Sequence, residues 1–140
     1  MVILGIDLGK VRTGISACDK SEILASPVCV ITEEDREKLI DKIIEIAKER
    51  KAEMFAVGLP LNMDGSSGES AENAKSFAKE LSEKSGIPYE MQDERGTTIT
   101  AHGYMNQTNV RGKKRKAVID SAAAVIILQD YLEKRRMRNR

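Results

Sequence analysis

Three features of this 140-residue sequence predict an α/β fold, a five-stranded mixed sheet with elements in the order βββαβαβα, flanked by helices. Short apolar runs separated by glycine and polar punctuation fill the first thirty positions. Helical periodicity takes over after residue 32. Apolar runs and helical stretches then alternate to the end, as in a sheet completed by crossovers.

VILGID (2–7) is an apolar run ending on a carboxylate and reads as a buried first strand. Gly9 and Lys10 punctuate it, and TGISACD (13–19) is the second strand. Ile23 to Ile31 supply a third, where Pro27 argues for an edge position or a bulge. The short connections make these three an antiparallel meander. Thr32 with Asp35 three residues later resembles a capping box, and Leu39, Ile40, Ile43, Ile44, Ile46 and Ala47 continue as a helix near 33–50. MFAVGL (54–59) is the fourth strand and 60–68 a loop, with Ser66 and Glu69 as its capping pair. Ala74, Phe77, Ala78 and Leu81 mark a second helix ending near Gly86, and IPYEMQ (87–92) is the fifth strand. A short helix after Thr97 and a polar loop through Lys116 lead to the last helix, which carries Val118, Ile119, Ala122, Val125, Ile126, Gln129 and Leu132 and has Asp120 at its start.

The crossovers from strand one to strand four and from four to five favour parallel pairing. Parallel strands end on one edge, where open α/β sheets bind their ligands. Asp7, the 60–68 loop and the 93–98 segment all follow such strand ends.

Hydrophobic residues at 41% and charged residues at 32% describe an ordinary globule, with 1–140 read as one domain. No stretch nears the roughly 18 apolar residues of a membrane span. The opening MVILGIDLG lacks a basic leader, so it is not read as a signal peptide. Cys18 and Cys29 have no zinc-type spacing, and the cytoplasm is the expected compartment. The net charge of +1 conceals an asymmetry: residues 1–110 carry −6 and residues 111–140 carry +7, concentrated in RGKKRK (111–116) and KRRMRNR (134–140). Such clusters suit a polyanionic partner, both of them being expected to flank an acidic pocket, although solvated surface accounts for them equally well.

Three acidic positions converge at the proposed edge: Asp7, the pair Asp93–Glu94, and Asp120. A carboxylate ending an apolar strand is costly unless it is solvated, paired or bound to a cation. Hard oxygen ligands from separate elements suit Mg²⁺ or Mn²⁺, and two such ions support phosphodiester hydrolysis. Each acid also has a plain structural use, as turn cap, partner of Arg95 or Arg12, or helix-terminal charge. In GIDLGKVRTG (5–14), backbone amides with Lys10, Arg12 and Thr13 suit a phosphate, and in GLPLNMDGSSG (58–68) Asn62 and Ser66 are candidate donors. The lone His102 has no obvious acid–nucleophile partner, and HExxH, EF-hand, Walker A and GxGxxG patterns are missing. Three tyrosines and two phenylalanines offer no stacking platform, so nucleic acid would be held through phosphates and shape.

GIDLGKVRTG (5–14), GLPLNMDGSSG (58–68), DERGTT (93–98) and IDSAAAVIILQDYL (119–132) together resemble, in order, the YqgF-type (RuvX-like) family of Holliday junction resolvases and pre-16S rRNA nucleases. The resemblance covers essentially the whole chain. It implies an RNase H-like fold and acidic, metal-dependent nuclease chemistry on structured RNA or branched DNA, with a ribosomal precursor particle as one setting. It also assigns Asp7, Glu94 and Asp120 as the catalytic and metal-holding acids, Glu94 being favoured over Asp93. The candidate nucleic-acid contacts are Lys10, Arg12, Asn62, Ser66, Arg95, Lys113, Lys114, Arg115 and Lys116. Gly96 departs from the family's usual leucine in this motif. The rivals are an actin- or sugar-kinase-type ATP-binding domain, which shares the first hairpin but needs a second domain, and a non-catalytic ribosome-assembly factor on the same fold.

Overall fold

The computed structural model describes residues 1–60, 68–93 and 112–138, the stretch 112–121 by its backbone alone. Its elements are β1 (Ile3–Asp7), β2 (Arg12–Cys18), β3 (Ala25–Thr32), α1 (Arg36–Arg50), β4 (Met54–Leu59), α2 (Glu69–Ser85), β5 (Tyr89–Asp93) and α3 (Gly112–Arg138). They form a five-stranded sheet in the order β3-β2-β1-β4-β5. As the sequence predicts, β1–β2 and β2–β3 pair antiparallel, whereas β1–β4 and β4–β5 pair parallel. Pro27 sits in edge strand β3, and the register steps from Ile15–Cys29 to Ser16–Pro27, leaving Val28 as the extra residue of a bulge.

Strand alternation sorts the side chains into two layers. Leu4, Ile6, Ile15, Ala17, Phe55 and Val57 point to one face, where Leu39, Ile40 and Ile43 of α1 and Phe77, Ala78 and Leu81 of α2 cover them. Ile3, Cys18 and Ala56 point to the other, under Leu128, Tyr131 and Leu132 of α3. No described helix is long and apolar enough to cross a membrane.

Two local expectations are corrected. Thr32 does not cap α1, because it is committed to the β2–β3 ladder opposite Arg12. Asp35 is the cap instead, its carboxylate accepting from the Lys38 N–H at 3.2 Å. The expected loop through Lys116 is helical from Gly112, so Asp120 lies about two turns inside α3 rather than at its start. Lysine and arginine are good helix formers, and a basic run on its own does not mark a loop. α2 starts at Glu69 with Gly68 as its N-cap and no side-chain cap, and it ends at Gly86 with φ 74°, as expected. The predicted short helix after Thr97, His102 and the Ser66 cap lie outside the described residues.

α3 is fastened to the sheet along one seam. The Ser16 hydroxyl donates to the Ala124 carbonyl at 2.7 Å. The Gln129 amide accepts from Ala25 N–H and donates to the Ile23 carbonyl, both at 3.0 Å. Arg135 Nε donates to Glu22 at 2.7 Å. Between the first of these contacts and β1 the fit is tight. A Cβ on Gly5 would stand 2.3 Å from Ser16 Oγ, 2.7 Å from Leu128 Cβ and 3.0 Å from the Ala124 carbonyl oxygen. Only a residue without a side chain lets the helix lie this close.

Glu22 is held below the ordinary glutamate range by the hydrogen bond from Arg135, opposed by burial and assisted by the Met1 ammonium at 2.9 Å. A carboxyl with a lowered folded pKa stabilises the fold above its unfolded value, and that contribution is lost as pH falls through the folded one. Glu22→Gln therefore costs about 1 kcal/mol at neutral pH, after allowance for partial solvent screening. The difference from wild type closes as pH drops below about 4.3. Thermal melts of both proteins across pH measure this.

Candidate active site

Asp7 closes β1 at the carboxyl edge shared by β1, β4 and β5. The register puts Ile6 opposite Val57, Gly58 opposite Gln92, and Leu59 opposite Asp93. Asp7 and Asp93 thus end strands on either side of β4, roughly 10 Å apart by strand spacing. They belong to different faces. Asp7 continues the row of Ile3 and Gly5, which lies under α3. Asp93 continues the row of Tyr89 and Met91, which packs with the α1/α2 core. Both acids are partly exposed.

Arg12 shares the α3 face with Gly14 and Ser16, and Gly14 is the register partner of Asp7. Its Nη1 is buried with no hydrogen-bond partner among the described residues. A guanidinium nitrogen in that state carries an unrecovered desolvation cost, which an incoming anion would offset. The Thr13 hydroxyl is also buried without a hydrogen-bond partner among the described residues, but on the opposite, fully buried face, so it is not available to a phosphate. Lys10 lines a cleft of about 590 Å³ with Leu8, Gly9, Pro60 and the start of α2, including Glu69, Ser70, Glu72 and Asn73. The turn leading to it is closed to other residues at Gly9, where a Cβ would lie 2.2 Å from the Arg12 carbonyl oxygen.

Position 120 lies one turn before Ala124 on α3, on the side of the helix that Ala124 and Leu128 present to β1. Lys113, Lys114, Arg115 and Lys116 occupy the first turns of the same helix. Glu94, Arg95, Asn62 and Ser66 lie outside the described residues.

The second basic cluster is not at this edge. Arg135 bonds to Glu22 and Arg138 to Glu90 at 3.3 Å, at the far end of α3. That is roughly 22 Å along the helix from position 120. The expectation that both clusters flank the acidic edge is corrected: a helix running antiparallel to β1 carries its two ends to opposite edges of the sheet. The carboxylates there also neutralise part of the cluster. Glu90 is held below its ordinary range, first by the Tyr131 hydroxyl, against burial, and then by Arg138.

Sequence reasoning missed Gly5 and Ser16, which join this edge to α3. A glycine inside a buried strand was the available signal, since it marks close approach of another backbone.

The profile of a family described as "RuvX: Holliday junction resolvase" matches residues 1–134. The chain belongs to the RuvX family. A relative from Mycobacteroides abscessus is 42% identical over 135 residues, covering 95% of this chain and 81% of that one. Another, from Leuconostoc mesenteroides, is 41% identical over 136 residues, covering 95% of each. Both bear the name "Putative pre-16S rRNA nuclease". Among solved structures, T. thermophilus RuvC in complex with a Holliday junction substrate superposes with a TM-score of 0.62 at 14% identity, over 98% of this chain and 96% of RuvC. The RNase H-like fold expected from the motifs is thereby established, and membership of the RuvX family places the chain among phosphodiester-hydrolysing nucleases.

If Arg12 in this RuvX-family chain receives a phosphate, Arg12→Met relieves an unpartnered buried nitrogen and removes one contact. The melting temperature should hold or rise. Binding to duplex RNA should weaken, and the slope of log K against log salt should shrink by about 0.9. Filter binding across a salt series reads both quantities, and an unchanged slope would assign Arg12 to the fold alone.

Proposed function

We propose that this RuvX-family protein is a divalent-metal-dependent endonuclease acting on structured RNA, in 5′-end maturation of the small-subunit ribosomal RNA precursor. The observation that carries the reading is Asp7, a partly exposed carboxylate ending a buried strand on the face that α3 covers. The strand and helix spacings agree. Asp7 lies two residues past Gly5, roughly 6.6 Å along β1. Position 120 lies four residues before Ala124, roughly 6 Å along α3 in the same direction. From the contact of Gly5 with Ala124, both chains thus advance equally toward the carboxyl edge.

Asp7, Glu94 and Asp120 form the proposed metal-holding set. Asp93 faces the α1/α2 core, which favours its neighbour Glu94 as the third acid. Among the described residues no three His, Cys, Asp or Glu side chains group to hold a metal, so Asp7 needs the other two acids to complete a centre. An all-oxygen donor set fits Mg²⁺ or Mn²⁺. Bound there, such ions supply positive charge for the attacking water and the leaving oxygen of the phosphodiester. Arg12 and Lys10 would hold phosphates beside the scissile bond, together with Asn62, Ser66 and Arg95. Lys113, Lys114, Arg115 and Lys116, at the near end of α3, would attract the backbone that the carboxylates repel.

The names of the close relatives support the RNA substrate. A second reading, resolution of four-way DNA junctions, is favoured by the family description and by the junction bound to RuvC. Cleavage assays on precursor rRNA, four-way junctions and plain duplex separate them. A third outcome, binding without cleavage of any substrate, would make the protein an assembly factor. The cytoplasm is the proposed setting; the free thiols Cys18 and Cys29 suit a reducing compartment.

Asp7→Asn keeps the shape at the end of β1 but removes the charge that would hold the ions. Folding and nucleic-acid binding should survive, while hydrolysis falls by roughly a thousandfold or more. EDTA should abolish wild-type cleavage, and added Mg²⁺ or Mn²⁺ should restore it. Cleavage that persists through both the substitution and chelation would refute the metal mechanism.

A further inference from the structure

We infer that Ser16 is a positioning residue: seated against Gly5, it sets the level of α3 on the sheet and thereby brings position 120 to Asp7. The inference rests on the reading of Asp7 and Asp120 as joint metal ligands. Its own evidence is separate. Ser16 is fully buried on β2, beside the central strand β1. Its hydroxyl donates at 2.7 Å to the carbonyl of Ala124, which is one turn from position 120 and 108 residues away in sequence.

An apolar helix on an apolar sheet has no strong preference for one axial position, because hydrophobic contact is non-directional. A directed hydrogen bond inside a dry interface does impose one. The acceptor is already bonded within the helix, so Ser16 is not needed to satisfy an orphan carbonyl; its bond selects a height. Gly5 makes that selection possible. A Cβ there would meet Ser16 Oγ, Leu128 Cβ and the Ala124 oxygen together, so strand and helix backbones lie close here. An error in axial height at Ala124 reaches position 120 undiminished, since one helical turn is rigid. A metal centre tolerates little such error, as Mg²⁺ demands near-ideal geometry.

The other fastenings of α3 are poorly placed for this task. Gln129 bonds to Ala25 and Ile23 at the β3 end of the hairpin, and Arg135 to Glu22 beyond that. Gln129 is nine residues from position 120, roughly 13 Å along the helix. It holds the far half of α3 against the β3 end of the hairpin and leaves bending or tilt of the helix between it and position 120 for the Ser16 bond to fix. That makes it the natural control.

Mn²⁺ binding to the full-length protein without substrate, followed by electron paramagnetic resonance titration, tests the assignment alongside thermal melts. Wild type should bind and Asp7→Asn should bind much more weakly. Ser16→Ala should weaken Mn²⁺ binding about tenfold while remaining folded. Gln129→Ala should lower the melting temperature comparably and leave Mn²⁺ affinity unchanged. If Ser16→Ala fails to fold, Ser16→Cys, similar in size and a weaker donor, takes its place in the comparison. Wild-type affinity in the folded Ser16 variant, with Asp7→Asn impaired, overturns the positioning role and leaves the acidic site standing. Equal losses in the Ser16 and Gln129 variants overturn it as well, since they reduce the effect to general stability. Equal binding by wild type and Asp7→Asn overturns the acidic site itself, and the positioning role with it.

Discussion

The approach of α3 to β1 at Gly5 is the constraint on which the rest of this molecule depends. The sheet alone has its acids at one edge, but its α3 face is open until the helix covers Ile3, Cys18 and Ala56. How closely the helix can lie is set by the missing side chain at position 5, and where it stops is set by the hydroxyl at position 16. Larger residues at either position would raise the helix and part the two layers, because close-packed interiors do not absorb an extra methylene without strain. Among the described residues the opposite face shows no such point of contact. There, aliphatic and aromatic side chains of α1 and α2 fill the space, and no backbone-to-backbone approach is required.

Charge is distributed along α3 in a manner that the linear sequence does not convey. The helix begins in a basic run near the carboxyl edge and ends in a second basic run at the far edge. Part of the far run is engaged in holding the molecule together: Arg135 ties the β2–β3 turn through Glu22, and Arg138 ties edge strand β5 through Glu90. Such pairs contribute modestly to stability, but they remove charge from the surface. The near run has a different neighbourhood, an edge whose own residues are acidic.

The two cysteines illustrate the same division between sequence and fold. Cys18 is buried under α3, where desolvation raises its thiol pKa and its sulfur accepts from the Ile3 N–H at 3.3 Å. Cys29 lies opposite Ile15 and packs with the α1/α2 core, also raised by burial. They point to opposite faces of one sheet, so no bridge between them is geometrically open.

By itself the sequence determined the elements, their order and which strands run parallel. Strand and helix periods are local, and crossovers leave little choice of direction. It also placed Asp7 at a strand end and drew attention to the acids at 93–94 and 120. What lay beyond it was the basic run at 112–116, where charge was mistaken for loop, and the cap of α1, where the ladder claimed Thr32 and passed the role to Asp35. Tertiary structure alone decided which faces Asp7 and Asp93 occupy, that the two ends of α3 reach opposite edges, and that Arg12 carries a buried nitrogen without a hydrogen-bond partner among the described residues. The physical reason is separation along the chain. Ser16 and Ala124 become neighbours only through packing, and no local pattern records a contact made across 108 residues.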